Sequence, residues 1–123
     1  MAGTPGSTDW TVTEYEQAPG RAPLVAFLGG LEGRNANDAA ALLALLKEQG
    51  NQLRPPRSKK VEDNLFELRG HQVRMFYMFL PGRVIVMLDG IVKKQDEIPR
   101  QDLERIRHYR QEVLRRGPRA ARR

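Results

Sequence analysis

Three apolar segments follow one another almost without interruption, Leu65–Arg69, Val73–Leu80 and Arg83–Gly90, separated only by short links that include Gly70-His71 and Pro81-Gly82. β-Branched and aromatic residues dominate them, and the links hold only a turn, so the block reads as a hairpin-connected antiparallel sheet. Side chains alternate across a strand. Phe66 and Leu68 therefore share one face, and Leu65, Glu67 and Arg69 the other. In the next strand Val73, Met75, Tyr77 and Phe79 oppose Arg74, Phe76 and Met78. A two- or four-residue turn after Arg69 puts Arg69, Glu67 and Arg74 on a single face. A two-residue Pro81-Gly82 turn sets Asp89 opposite Arg74, with a bulge as the one feature that shifts this register.

Around this block the chain reads as an α+β domain with helices packed on one side of an antiparallel sheet. At 123 residues it has material for one core. Trp10–Tyr15 alternates like a short first strand. Pro23 opens a short helix with Leu24, Phe27, Leu28 and Leu31 at helical spacing. A second helix runs from about Asn37 to Gln49, capped by Asn35 or Asn37, with Leu42, Leu43, Leu45 and Leu46 as its apolar stripe. Pro55-Pro56 begins a basic loop, Arg57-Ser58-Lys59-Lys60. A last helix starts near Pro99, facing inward through Leu103, Ile106, Val113 and Leu114. The folded domain is expected over 10–116, between a disordered tail (1–9) and a flexible basic tail (117–123).

Composition excludes several classes. No apolar run approaches the ~18–20 residues that span a bilayer, and the first ten residues lack the apolar stretch of a signal peptide, which favours the cytoplasm. With no cysteine and only His71 and His108 as histidines, neither a disulfide, a metal site nor a cofactor is expected. The net charge of +6 is uneven: residues 98–123 hold nine Arg/Lys against three Asp/Glu, while the remainder holds twelve of each. Such asymmetry suggests a polyanion or an acidic partner, or else a solvated arginine-rich helix and tail.

Arginine in a packed sheet requires an open face or a paired charge. Two readings of the cluster stand side by side. Either Arg69, Arg74, Lys93 and Lys94 line an anion-binding face with Glu67 and Asp89 holding the arginines extended, or Glu67, Arg74 and Asp89 form a surface ladder worth ~0.2–1 kcal/mol per pair. Metal-free RNA cleavage needs a base for the 2′-hydroxyl, donors for charge on the phosphate oxygens and an acid for the leaving 5′-oxygen. Guanidinium forks suit the second task. For the base, Lys59, Lys60, Lys93, Lys94, His71 and Glu67 are all candidates. Tyr77 is either core or else a base-stacking or acid residue.

These residues also resemble the RelE/ParE toxin superfamily, in particular the HigB-like, phage-derived toxins of type II toxin–antitoxin modules. The matching pattern is Leu65-Phe66-Glu67-Leu68-Arg69, then Arg74-x-aromatic-Tyr77, then Gly90-x-x-Lys93-Lys94, then Ile98-Pro99, with Lys59-Lys60-Val61 upstream. The resemblance spans about Trp10 to Leu114. It implies a small antiparallel sheet with two N-terminal helices packed on one face and a C-terminal helix, and a ribosome-dependent mRNA endoribonuclease; on the residue chemistry above, the catalytic candidates are Glu67, Arg69, Arg74, Lys93 and Lys94, and the RNA-binding candidates Lys59, Lys60, His71 and Tyr77. It also implies a cognate antitoxin, HigA-like with a helix-turn-helix domain, and an acidic segment in it suits the cationic face. Where such toxins commonly carry His before the glycine, this chain has Asp89; Ile91 and Ile106 also depart from the pattern. The alternatives are a ParE-like toxin acting on a topoisomerase, or a member that binds RNA or antitoxin without cleaving.

Overall fold

The computed structural model describes residues 10–120; the expected 1–9 tail and the end of the expected 117–123 tail lie outside them. The elements are β1 (Thr11–Glu14), α1 (Pro23–Gly29), α2 (Gly33–Gln49), β2 (Ser58–Glu62), β3 (Leu65–Arg69), β4 (Val73–Leu80), β5 (Val84–Val92) and α3 (Arg100–Arg116). One turn of 3₁₀ helix, Gly50–Gln52, follows α2. The five strands form one sheet in the order β1-β5-β4-β3-β2. Every pairing is antiparallel except β1 with β5, which is parallel. The α+β class and the hairpin-linked block therefore stand.

Four expectations are corrected. The basic loop is in part an edge strand, β2, paired along β3 from Ser58↔Leu68. Helix α2 begins at Gly33 and is capped by backbone at Glu32, with no side-chain cap from Asn35 or Asn37. The two N-terminal helices do share one face, α1 and α2 covering Leu68, Met75 and Tyr77, but not all helices lie on that side: α3 covers Phe76, Met78 and Leu88 through Ile106 and Val113. Leu114, expected inside, is 59% exposed. Each face thus carries its own apolar layer, as alternation requires of a sheet packed on both sides.

The register also differs at the β4–β5 hairpin. Leu80 pairs with Val84, leaving Pro81, Gly82 and Arg83 in the turn, where Gly82 (φ 85°) and Arg83 (φ 61°) both take the left-handed conformation. A bulge then separates Phe76↔Asp89 from Tyr77↔Met87. Leu88 is the extra residue, and it turns both itself and Asp89 toward α3. Asp89 therefore lies opposite Phe76, and Arg74 opposite Ile91.

The arginine-rich helix is not a free polyelectrolyte. Arg100 pairs with Glu104, Arg105 with Asp89 and Asp102, Arg107 and Arg110 with Glu62, and Arg115 and Arg116 with Glu112. Beyond the helix, Arg119 reaches Glu16 at 3.2 Å, and the Glu16 amide donates to the Pro118 carbonyl at 2.7 Å. The stretch expected as a loose tail is anchored at least to Arg119. Of these contacts Glu62 is the densest: Arg107 donates to both its oxygens, from Nε and from Nη2, and Arg110 adds a bond of 2.8 Å.

Hydrogen bonding from Arg107, partly opposed by burial and reinforced by Arg110, lowers the Glu62 carboxyl below its usual value of 4.5. A depressed acid stabilises the fold at neutral pH, and that contribution is lost as pH falls below about 4.5 through the folded-state value. Thermal melts of Glu62→Gln should therefore lie below wild type at neutral pH and converge with it in acid. A gap that stays constant with pH would show that the ion pairs do not anchor α3.

Candidate nucleic-acid interface

Alternation and a tight turn assemble the central cluster. Gly70 donates its amide to the Val73 carbonyl at 2.9 Å, closing a two-residue His71-Gln72 turn, so Arg69 pairs directly with Arg74 and Glu67 with Phe76. Glu67, Arg69 and Arg74 thereby share the α3 face. Glu67 is 5% exposed and sits between the two arginines, 3.4 Å from Arg69 Nε and 3.9 Å from Arg74 Nε.

The two guanidiniums are not equivalent. Arg74 is buried and donates from Nη1 to the carbonyls of Gly70 (2.7 Å) and Val73 (3.0 Å). Burial pulls its pKa down from the usual arginine range, and Glu67 opposes that. Arg69 is a third exposed, and its Nε is a buried donor without a hydrogen-bond partner among the described residues. Arg74 is thus tied to backbone, whereas Arg69 keeps donor capacity.

A cleft of about 260 Å³ opens beside this cluster, between Glu67 and Arg74, the segment after β5 and the start of α3. Lys93 and Lys94 line it, together with Asp96, Glu97 and Asp102. The cleft is consequently mixed in charge. Lys93 Nζ lies 3.1 Å from Asp96, whose side chain is 97% exposed; a fully solvated partner gives way readily to a better anion. Lys94 has no ion pair among the described residues. Lys59, on the edge strand, is in register with Glu67 and so belongs to the same face.

The remaining expected residues fall elsewhere. Lys60 pairs with Phe66, on the opposite face. His71 sits in the turn beside the start of α2, where its amide donates to Asp38 at 2.7 Å. Tyr77 is 1% exposed, stacks on Phe66 and bonds Ser58 through its hydroxyl at 2.8 Å; burial raises its pKa, with Ser58 pulling the other way. Its strand parity turns it into the α1–α2 core, so it is not available to stack on a base. Asp89 does not brace Arg74: it accepts from Arg105 Nε at 3.0 Å and from its neighbour Gly90 at 2.7 Å. Burial works against the charge on Arg105, but hydrogen bonds to Asp102 and Asp89 outweigh it and raise its pKa.

Arg105 is the residue that sequence reasoning missed. The available signal was its place three residues after Asp102, on one helix face. It neutralises the aspartate that stands where a histidine was expected, so Asp89 presents less negative charge to a phosphate than its bare side chain implies.

The described residues thus form a two-faced α+β sheet with a buried glutamate between two arginines, opening on a lysine-lined cleft. The chain belongs to the Gp49-like family of phage-derived proteins, whose profile matches residues 26–111, a family of the RelE/HigB toxin type. Among solved structures it is similar to a chain of the toxin–antitoxin complex RelBE2 from Mycobacterium tuberculosis, at 15% identity over 71% of this chain and 94% of that one, with a TM-score of 0.47. So distant a likeness carries no functional weight. Curated proteins give no match. No helix among the described residues is long and apolar enough to cross a membrane.

Proposed function

We propose that this chain is the toxin of a type II toxin–antitoxin module, acting as a metal-independent mRNA endoribonuclease on the ribosome. The observation that supports this best is Glu67 and Arg74 lining a cleft shared with Lys93 and Lys94, with Arg69, a third exposed, beside Glu67. In-line attack by a 2′-hydroxyl on the adjacent phosphorus forms a 2′,3′-cyclic phosphate and releases the 5′-oxygen. Arg69 and Lys94 would neutralise the phosphate oxygens as charge develops, with Lys93 joining once a phosphate displaces Asp96. Arg74 fixes the turn and the Glu67 carboxylate, a positioning role. Glu67 or one of Lys59, Lys93 and Lys94 would take the hydroxyl proton, and an ammonium of the remaining lysines would give one to the leaving 5′-oxygen. This is a sparse set of groups, and it suits an enzyme whose substrate is positioned by the ribosome. The cognate antitoxin, helix-turn-helix and HigA-like, would cover this face with an acidic segment.

Two observations favour a second reading, binding without cleavage: Arg74 is engaged by backbone carbonyls, and Asp89 is locked to Arg105. Induced expression in a bacterial host, with mRNA ends mapped by primer extension, separates the readings. Growth arrest with discrete cuts is the expected result. Arrest without cuts would point to a ParE-like action on a topoisomerase, and no arrest would leave the binding-only form.

A further inference from the structure

The charge that remains uncommitted in this fold is not where the sequence concentrates it. All the arginines of α3 have acidic partners. Arg34, Arg54, Arg57, Lys59 and Lys60 have neither an ion pair nor a side-chain hydrogen bond among the described residues. Two of these, Arg34 and Arg57, meet His71 and Gly70 around an open cleft of about 750 Å³, on the far side of the β3–β4 turn from Lys93 and Lys94. The only acid lining that cleft, Asp38, already accepts the His71 amide at 2.7 Å.

The turn between the two clefts is held firmly. A Cβ on Gly70 would run into the Asp38 carboxylate, so the glycine lets the turn dock directly on α2. Arg57 also continues the arginine row of the sheet: its carbonyl accepts the Arg69 amide at 2.7 Å, and Arg69 pairs with Arg74. Neighbouring strands lie about 4.8 Å apart. Arg57, which lines this cleft, is thus joined through its backbone to Arg69 of the central cluster.

We infer that the Arg34–Arg57–His71 cleft is a second phosphate-binding site, which holds the backbone of an RNA outside the reacting nucleotide. A protein segment is the poorer occupant. No large apolar side chain lines the cleft, so a peptide would find no buried anchor there, whereas phosphate needs only donors and positive charge. The inference rests on the proposed RNA-directed function and adds where the substrate strand is gripped.

The test is fluorescence anisotropy of a labelled single-stranded RNA, long enough to reach both clefts, titrated with wild type and with Arg34→Gln/Arg57→Gln over a range of salt. Both residues are exposed, and a thermal melt confirms the fold. The double variant should bind more weakly, with a salt slope shallower by roughly 0.7–1.4, the loss of one to two phosphate contacts on a single strand. Growth arrest by Arg69→Ala, measured alongside, reports on the reaction cleft alone. A wild-type affinity and slope in the double variant overturns the second site while leaving the reaction cleft standing. Loss of binding to the antitoxin with RNA binding intact makes the cleft a protein contact and equally overturns it. Failure of the wild-type protein to bind RNA at any salt removes both the function and the second site.

Discussion

Replacing Arg69 by alanine should slow mRNA cleavage by about 10²–10³ while shifting stability by no more than about 1 kcal/mol. The separation follows from its surroundings. The side chain is 32% exposed and its approach to Glu67, at 3.4 Å, forms no hydrogen bond, so the fold depends little on it. A guanidinium neighbouring the proposed reaction cleft would, in contrast, act chiefly as charge develops on a phosphate held there. Arg69→Lys should recover only part of the rate, since an ammonium keeps the charge but not the planar fork. Arg74→Ala gives a different signature. Its bonds to the Gly70 and Val73 carbonyls and its contact with Glu67 are buried, and leaving such groups unpaired costs about 1–3 kcal/mol. Cleavage kinetics beside melting curves of the two alanine variants will distinguish a reacting arginine from a positioning one. Near-wild-type cleavage by folded Arg69→Ala would take Arg69 out of the reaction.

The second large effect is structural. Gly90 lies in β5 beneath α1, and a Cβ there would occupy the Phe27 ring. The ring cannot yield alone, because its root atom is also only 3.0 Å away, so α1 has to lift from the sheet. Overpacking of this kind costs about 1–3 kcal/mol, partly offset by the gain of about 0.5–1 kcal/mol from replacing a strand glycine. Gly90→Ala should therefore lower the melting temperature by several degrees. An unchanged melt would mean that α1 rides loosely over β5. Because β5 leads directly into Lys93, a shift there should also weaken RNA binding.

How far the site could be foreseen depended on which interactions are local. The shared face of Glu67, Arg69 and Arg74 was legible, because alternation and a short turn fix it. The burial of Tyr77 followed from the same parity, although the residue type also suits base stacking. Strand β2 was hidden by its composition: Ser58-Lys59-Lys60-Val61-Glu62 pairs on one side only, and an edge strand tolerates charge that an inner strand does not. The bulge at Leu88 left no mark, since Val86-Met87-Leu88 is apolar throughout. Charge was the hardest to read. A tally by segment makes α3 the basic element, but several of its partners, Glu62 and Asp89 among them, are remote in sequence. Among the described residues folding pairs the α3 arginines and leaves cations without ion pairs at Arg34, along Arg54–Lys60 and at Lys94, among others.

The parallel pairing of β1 with β5 bears on when the cleft can first exist. Thr11 finds its place beside Val84, and the cleft needs Lys93, Lys94 and the first turn of α3 as well. A nascent chain still emerging from the ribosome has the arginines of β3 and β4 without the strand, the lysines or the helix that turn them into a site. Such long-range closure is slow relative to local contacts. A site built this way is incomplete until synthesis has passed the first turn of α3 and the sheet has closed around it.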